Sequence, residues 1–213
     1  EIMQTTTQDP DSIKDENVSY ADYKEYSLDE SAPVKNIILL IGDGMGVNHI
    51  KAAELDKGDK LAMECMPYTA MVSTNSLDGT TDSAAAATAM STGVKTNNGR
   101  ICVDKDGNNL ETMCQFASAK GMKTGVAVTH VVCHATPAGF TANSESRDMY
   151  KAILMNQLDN GINVMFGGGQ TYYNSKLQTK LDDLGYQYIS KASELDSLDE
   201  SRNVLGMFKY EEQ

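Results

Sequence analysis

The stretch Asn36-Ile37-Ile38-Leu39-Leu40-Ile41-Gly42-Asp43-Gly44-Met45-Gly46 decides how the fold is read. It opens with a short, continuous apolar run rich in β-branched residues and closes in a glycine-spaced turn. A run of this length without polar alternation predicts a strand buried on both faces, as in a parallel sheet. Val47 to Lys57 follows with helical spacing. The unit is therefore strand, turn, helix, and Asp43 stands at the carboxyl end of the strand.

The same alternation continues outward. Strands are predicted at Tyr68 to Ser73, Thr124 to Thr129, Ile162 to Phe166 (ending in Gly167-Gly168-Gly169) and Asn203 to Phe208. Helices are predicted at Ser83 to Gly93, Leu110 to Lys120, Ser144 to Leu158 and Ser175 to Leu184. Strands alternating with helices imply an α/β domain, a mostly parallel sheet with helices on both faces. Sites in such sheets collect beyond the carboxyl ends of the strands. Attention falls on Asp43, the turn before Ser83 and the segment after Thr129. Residues 1–33 are polar and acidic and read as an N-terminal arm, with the domain over 34–213.

Composition narrows the function. The chain has 213 residues and a formal charge of −12, with 40% hydrophobic residues, which suits a globular protein and excludes wholesale disorder. That charge argues against nucleic acid as a partner, since phosphodiester binding wants a basic surface. A small anionic substrate stays open, because a local cationic site outweighs the global field. The longest apolar run, Ile37 to Ile41, is far short of the ~20 residues of a transmembrane helix. Glu1 opens the numbering without a charged-then-apolar leader, so either a signal was removed or the chain was cut. Cys65, Cys102, Cys114 and Cys133 show no CxxC pair; two disulfides or buried thiols are both open.

Several segments carry chemistry-bearing residues. Gly42-Asp43-Gly44-Met45-Gly46 fails the dinucleotide fingerprint and the Walker A pattern, leaving one carboxylate among glycines. Alone, it reads most simply as a turn aspartate. Asp82 and Ser83 precede an alanine-rich helix, where either can cap it. The sharper reading is a serine nucleophile at a helix N-terminus, where unpaired N–H groups favour an alkoxide and a bound phosphate. The small side chains that follow leave room for close packing behind it. Thr129 to Pro137 places His130, His134 and several hydroxyls after a strand, as loop residues or metal ligands. Arg147 is either a surface ion-pair partner or a bidentate phosphate clamp. Asp104-x-Asp106-Gly107 departs from the EF-hand spacing and reads as a polar turn. His49 reads as structural, and the 12 methionines as adaptable core filler.

Taken together and in order, these segments resemble the alkaline phosphatase family. The resemblance rests on 36–46, on the run from Thr81-Asp82-Ser83-Ala84 to Asn97-Asn98-Gly99, and on His134-Ala135-Thr136-Pro137-Ala138 with Ser146-Arg147 at the family's interval. Phe166-Gly167-Gly168-Gly169 and Val204-Leu205-Gly206-Met207-Phe208 look like family segments too. The likeness implies a three-layer sandwich, incomplete here, and a metal-dependent phosphate monoesterase with two Zn2+ and one Mg2+. By position it implies that Ser83 is the nucleophile that becomes phosphoserine and a zinc ligand. Asp43 would bridge a zinc and the magnesium, and Thr136 would bind magnesium. Arg147 would hold the substrate's non-bridging oxygens. His134 falls where family members carry Asp or His, and imidazole is a poorer partner for a hard cation.

One departure bears on activity. The family's other metal ligands, several histidines among them, lie in its C-terminal half, and this chain has no histidine after His134. The resemblance therefore implies the N-terminal half of a catalytic domain, inactive alone, and a homodimeric, secreted or envelope-bound full-length enzyme. Two alternatives stand beside it: a non-catalytic phosphate-binding or assembly fragment, and a phosphodiesterase or phosphomutase on the same scaffold.

Overall fold

The structure, a computed structural model, describes Ser31 and residues 33–208. The arm expected over 1–33 lies outside the described residues, apart from Ser31 and Pro33. The chain divides into two compact units, Glu1–Val72 and Ser73–Gln213.

In the first unit, helix α1 (Val47–Lys57) has the predicted bounds. Its N-terminus is closed by Gly46 and His49: the Gly46 N–H donates to His49 Nδ1 at 3.2 Å. Its C-terminus ends on Gly58 in the left-handed region, where the Gly58 N–H donates to the Glu54 carbonyl. Lys57 in the last turn complements the negative end of the helix. His49 is thus structural, as its place in the sequence suggests.

The run Asn36 to Ile41 is not the buried strand expected of it. No described residue forms a ladder with it, and Ile38 and Leu40 are 85% and 87% exposed. Hydrophobicity marks a segment as suited to a strand, but a strand exists only through its hydrogen-bonded neighbour. Tyr68 to Ser73 likewise joins no described sheet. The first pairing comes after it, where Ser76 bridges Gly79 across a tight turn.

The second unit holds a parallel four-stranded sheet in the order β1-β2-β4-β3, with β1 at Gly125–Val131, β2 at Val164–Gly168, β3 at Gln187–Ile189 and β4 at Val204–Met207. Among the described residues the α-helices of this unit are α2 (Ser83–Thr92), α3 (Met113–Ala119), α4 (Ala135–Thr141), α5 (Tyr150–Asp159) and α6 (Ser175–Leu184). The α/β architecture with a parallel sheet is the one expected.

Register places the core. Met165 pairs with Leu205, and period-two alternation puts Met207 on the same face. All three are buried with Ile153, Leu154 and Leu158 of α5 and Leu177 and Leu181 of α6. On the opposite face Phe166 and Phe208 meet at 5.7 Å between ring centroids, close over Gly206. A Cβ there would come within 2.7 Å of the Phe166 ring. Gln157 of α5, fully buried, donates to the Val132 carbonyl and to Thr141 Oγ1, tying α5 to the end of β1 and to α4.

Several boundaries differ from the expected ones for local reasons. Helix α3 starts at Met113 rather than Leu110, because Thr112 and Gln115 form a reciprocal capping box. Helix α5 starts at Tyr150 rather than Ser144, because Ser144 bridges Ile101 and the Arg147 N–H donates to the Gly99 carbonyl. Helix α4 and strand β3 have no counterpart among the predicted elements.

Candidate functional site

Helix α2 begins where the sequence places its serine. Asp82 is the N-cap, its Oδ1 accepting from the Ala85 N–H at 2.9 Å, and Ser83 is the first helical residue, half-buried. Behind the serine, Ala84, Ala85 and Ala87 are buried, and Gly139 of α4 lies so close that a Cβ would approach the Ala87 Cβ to 2.4 Å. The small side chains do give the two helices their close approach.

The Asp82 carboxylate does more than cap. Its Oδ2 accepts from the Gly99 N–H at 2.9 Å and from Arg147 Nη1 at 3.0 Å. The Gly99 loop is held by Asp78, which accepts from Asn97 Nδ2 and the Asn98 N–H, while Asn98 Oδ1 accepts from the Asp82 N–H. Burial alone would raise the Asp82 carboxyl. The hydrogen bonds from Ala85, Arg147 and Gly99, with the Arg147 charge, outweigh it and hold the group below its ordinary value. Arg147 is therefore aimed by a charged partner and not merely present on the surface.

The other side of Arg147 faces the end of β1. Arg147 Nη2 donates to His134 Nε2 at 3.3 Å. Guanidinium only donates, so this His134 nitrogen carries no proton in the arrangement shown. His134 is the N-cap residue of α4, and Thr136 is in that helix's first turn. His130, still within β1, lies with its ring 4.0 Å from that of His134. The second unit thus brings Ser83 to the head of α2, and joins Asp82, Arg147 and His134 in one hydrogen-bonded chain. Asp43 belongs to the first unit, on the exposed turn between the apolar run and α1. There the Met45 N–H donates to the Gly42 carbonyl, and Gly44 takes a φ of +68°.

Asp82 is the residue whose reach sequence reasoning undervalues. Its capping role is legible. Its hold on Arg147 joins positions 65 apart in the chain and has no local signal.

The donors present limit what metal they can hold. Among the described residues, no three His, Cys, Asp or Glu side chains gather to hold an ion. His134 offers one imidazole nitrogen already engaged by Arg147, and Ser83 and Thr136 offer hydroxyls. Zinc centres take three or four nitrogen, sulfur or carboxylate donors, so these residues do not by themselves complete a zinc pair.

Chemically, a hydroxyl at the head of a helix, in a unit with an oriented guanidinium, suits a tetrahedral oxyanion. The class defined is an α/β protein with a parallel sheet and a serine-headed helix. The chain belongs to the alkaline phosphatase family, whose family model, described as Alkaline phosphatase, matches residues 34–212. It is 36% identical over 198 residues to "Alkaline phosphatase 4" of Bacillus subtilis (strain 168), covering 84% of this chain and 43% of that protein. The structure resembles the cold-active alkaline phosphatase of the psychrophile Shewanella sp., with a TM-score of 0.72 and 39% identity over 81% of this chain and 45% of the other. It also resembles a variant of TAB5 alkaline phosphatase solved with magnesium bound, with a TM-score of 0.71 and 26% identity over 80% of this chain and 51% of that one. The chain spans about half the length of these relatives.

Proposed function

We propose that this chain carries the nucleophile and the phosphate clamp of a phosphate monoester hydrolase. Membership of the alkaline phosphatase family supports the reaction class. The observation that carries the residue roles is the Asp82–Arg147 ion pair, which fixes a guanidinium in the same unit as a serine-headed helix.

In this reading Arg147 binds two non-bridging oxygens of the phosphoryl group through its planar fork. Ser83 Oγ attacks phosphorus, the bond from phosphorus to the leaving alcohol oxygen breaks, and the serine proton passes to solvent. The product is phosphoserine at Ser83. Water then attacks that phosphorus, the serine C–O–P linkage opens at the P–O bond, and inorganic phosphate leaves. The first-turn N–H groups of α2 and the positive end of its dipole stabilise the charge on the transferring oxygens.

Asp43, Ser83, His134 and Thr136 are the metal ligands we propose for this chain: Asp43 would serve both a zinc and the magnesium, Ser83 a zinc, and Thr136 the magnesium. The magnesium named in the structure of a TAB5 variant, in which glutamate replaces a histidine, supports a magnesium site in the family. A homodimeric, secreted or envelope-bound enzyme acting on phosphate monoesters is the wider proposal that goes with family membership.

The test is release of nitrophenolate from 4-nitrophenyl phosphate at mildly alkaline pH, with zinc and magnesium supplied, by the chain and by its Ser83→Ala variant. Because the donors present do not complete a zinc pair, little turnover is expected from this chain by itself, and whatever turnover occurs is expected to be lost in Ser83→Ala. Equal turnover by both chains would sink the assignment of the nucleophile. Hydrolysis of bis(4-nitrophenyl) phosphate in preference to the monoester would favour the diesterase alternative.

A further inference from the structure

A cleft of about 480 Å³ is lined by residues of α5 and α6, with neither Ser83 nor Arg147 in its walls. It falls within the ~300–1,000 Å³ range of small-molecule sites. Its walls have two characters. Tyr172 and Met155 supply apolar surface, and Lys151, Lys176 and Asp159 line it too.

The lysines are placed unusually. Each is the second residue of its helix, and neither helix has an acidic residue in its first turn. Both strands flanking each crossover are parallel, so α5 and α6 run the same way, with their first turns toward the carboxyl ends of the strands. Cations there face the positive ends of two helix dipoles, which is locally unfavourable. The carboxylate that lines the cleft, Asp159, is already engaged, paired with Lys180 across the two helices. Among the described residues no such ion pair holds Lys151 or Lys176. A protein of charge −12 therefore lines one partly apolar cleft with two lysines that no ion pair engages among the described residues, its carboxylate there being taken by Lys180.

We propose that this cleft binds a small organic oxyanion. Its carboxylate or phosphate sits between Lys151 and Lys176, and its apolar body lies against Tyr172 and Met155. The site does not depend on the phosphatase reading, because none of its residues belongs to the proposed catalytic set.

The probe is 2-naphthoate, titrated into the chain by calorimetry, with 2-naphthyl phosphonate, inorganic phosphate and the neutral 2-naphthamide beside it. One naphthoate per chain is expected, with the phosphonate binding comparably and phosphate and the amide more weakly. The double variant Lys151→Gln/Lys176→Gln should weaken naphthoate about fivefold to tenfold, while Arg147→Ala leaves it unchanged. Both lysines are exposed, and circular dichroism of each variant checks that the fold is kept. Three results would overturn the site: no binding at millimolar probe, equal affinity for the amide, or a double variant that binds as the parent does. Loss of naphthoate in Arg147→Ala alone would move the anion to the phosphate clamp and overturn it equally.

Discussion

Asp82 holds a helix end and an arginine with the same carboxylate, and the two duties can be separated by substitution. Alanine removes both. The cap is worth about 1 kcal/mol and the partly exposed pair with Arg147 up to about 1 kcal/mol, so Asp82→Ala should destabilise the second unit by about 1–2 kcal/mol in urea unfolding at neutral pH. Asparagine caps nearly as well as aspartate, so Asp82→Asn should lose mainly the part due to Arg147. The pH dependence follows from the depressed carboxyl. A group whose folded-state value is lowered adds stability above its unfolded value, about 3.9, and loses it as pH falls through the folded value. The stability gap between the parent and Asp82→Asn should therefore be present at neutral pH and close below about pH 4. A gap that stays constant on acidification would show that the charge on Asp82 contributes nothing.

Helices α2 and α4 meet at their smallest residues, and that contact is tight. A Cβ on Gly139 would stand 2.4 Å from the Ala87 Cβ and 3.0 Å from the Ala87 carbonyl carbon, so relief requires the helices to separate. Gly139→Ala should cost about 1–3 kcal/mol by overpacking, read from unfolding midpoints. Ala87→Gly alone should cost about 1 kcal/mol as a helix-interior glycine, yet added to Gly139→Ala it should recover part of the loss. Simple additivity in that cycle would mean the two positions do not press on each other. Helices with strong local signals are legible: α1 and α6 keep their predicted bounds, and α2 stops on Gly93 with a left-handed φ. The elements that depart from expectation are decided by distant partners. Ser144 is drawn to Ile101, which delays the start of α5. Strand β3 is three residues long, too short to show a period, and is defined by its ladder to β4. Helix α4 is seven residues long and carries Pro137, which reads as a breaker yet is tolerated in a first turn. The apolar run at 36–41 shows the converse, a clear strand signal without a described ladder. In the candidate site, each residue type is legible from its segment, but the chain from Gly99 through Asp82 and Arg147 to His134 exists only in three dimensions.

Across the whole molecule, the four cysteines report on how the chain is closed to solvent. Composition leaves disulfides and thiols equally open; the structure has four free thiols. Burial pushes Cys102 and Cys133 up to about 12 and Cys114 up to about 11, while Cys65 is half-buried in the first unit. The thiolate is the reactive form. At pH 8 a thiol at 11 is ionised to about one part in a thousand, and one at 12 tenfold less. A thiol reagent such as 5,5′-dithiobis(2-nitrobenzoate) should therefore modify Cys65 first in the native chain and the other three only as it unfolds. In concentrated guanidinium chloride, without reductant, all four thiols should react at once. Fewer than four would mean a disulfide. The same raised values make alkali destabilising. Groups lifted above their unfolded value contribute fully below about 8.5 and lose that contribution as pH rises toward the folded value. Unfolding midpoints should accordingly fall above about pH 8.5, and reductant should leave them unchanged at every pH. A midpoint that dropped on adding reductant would place a covalent staple where the structure has thiols.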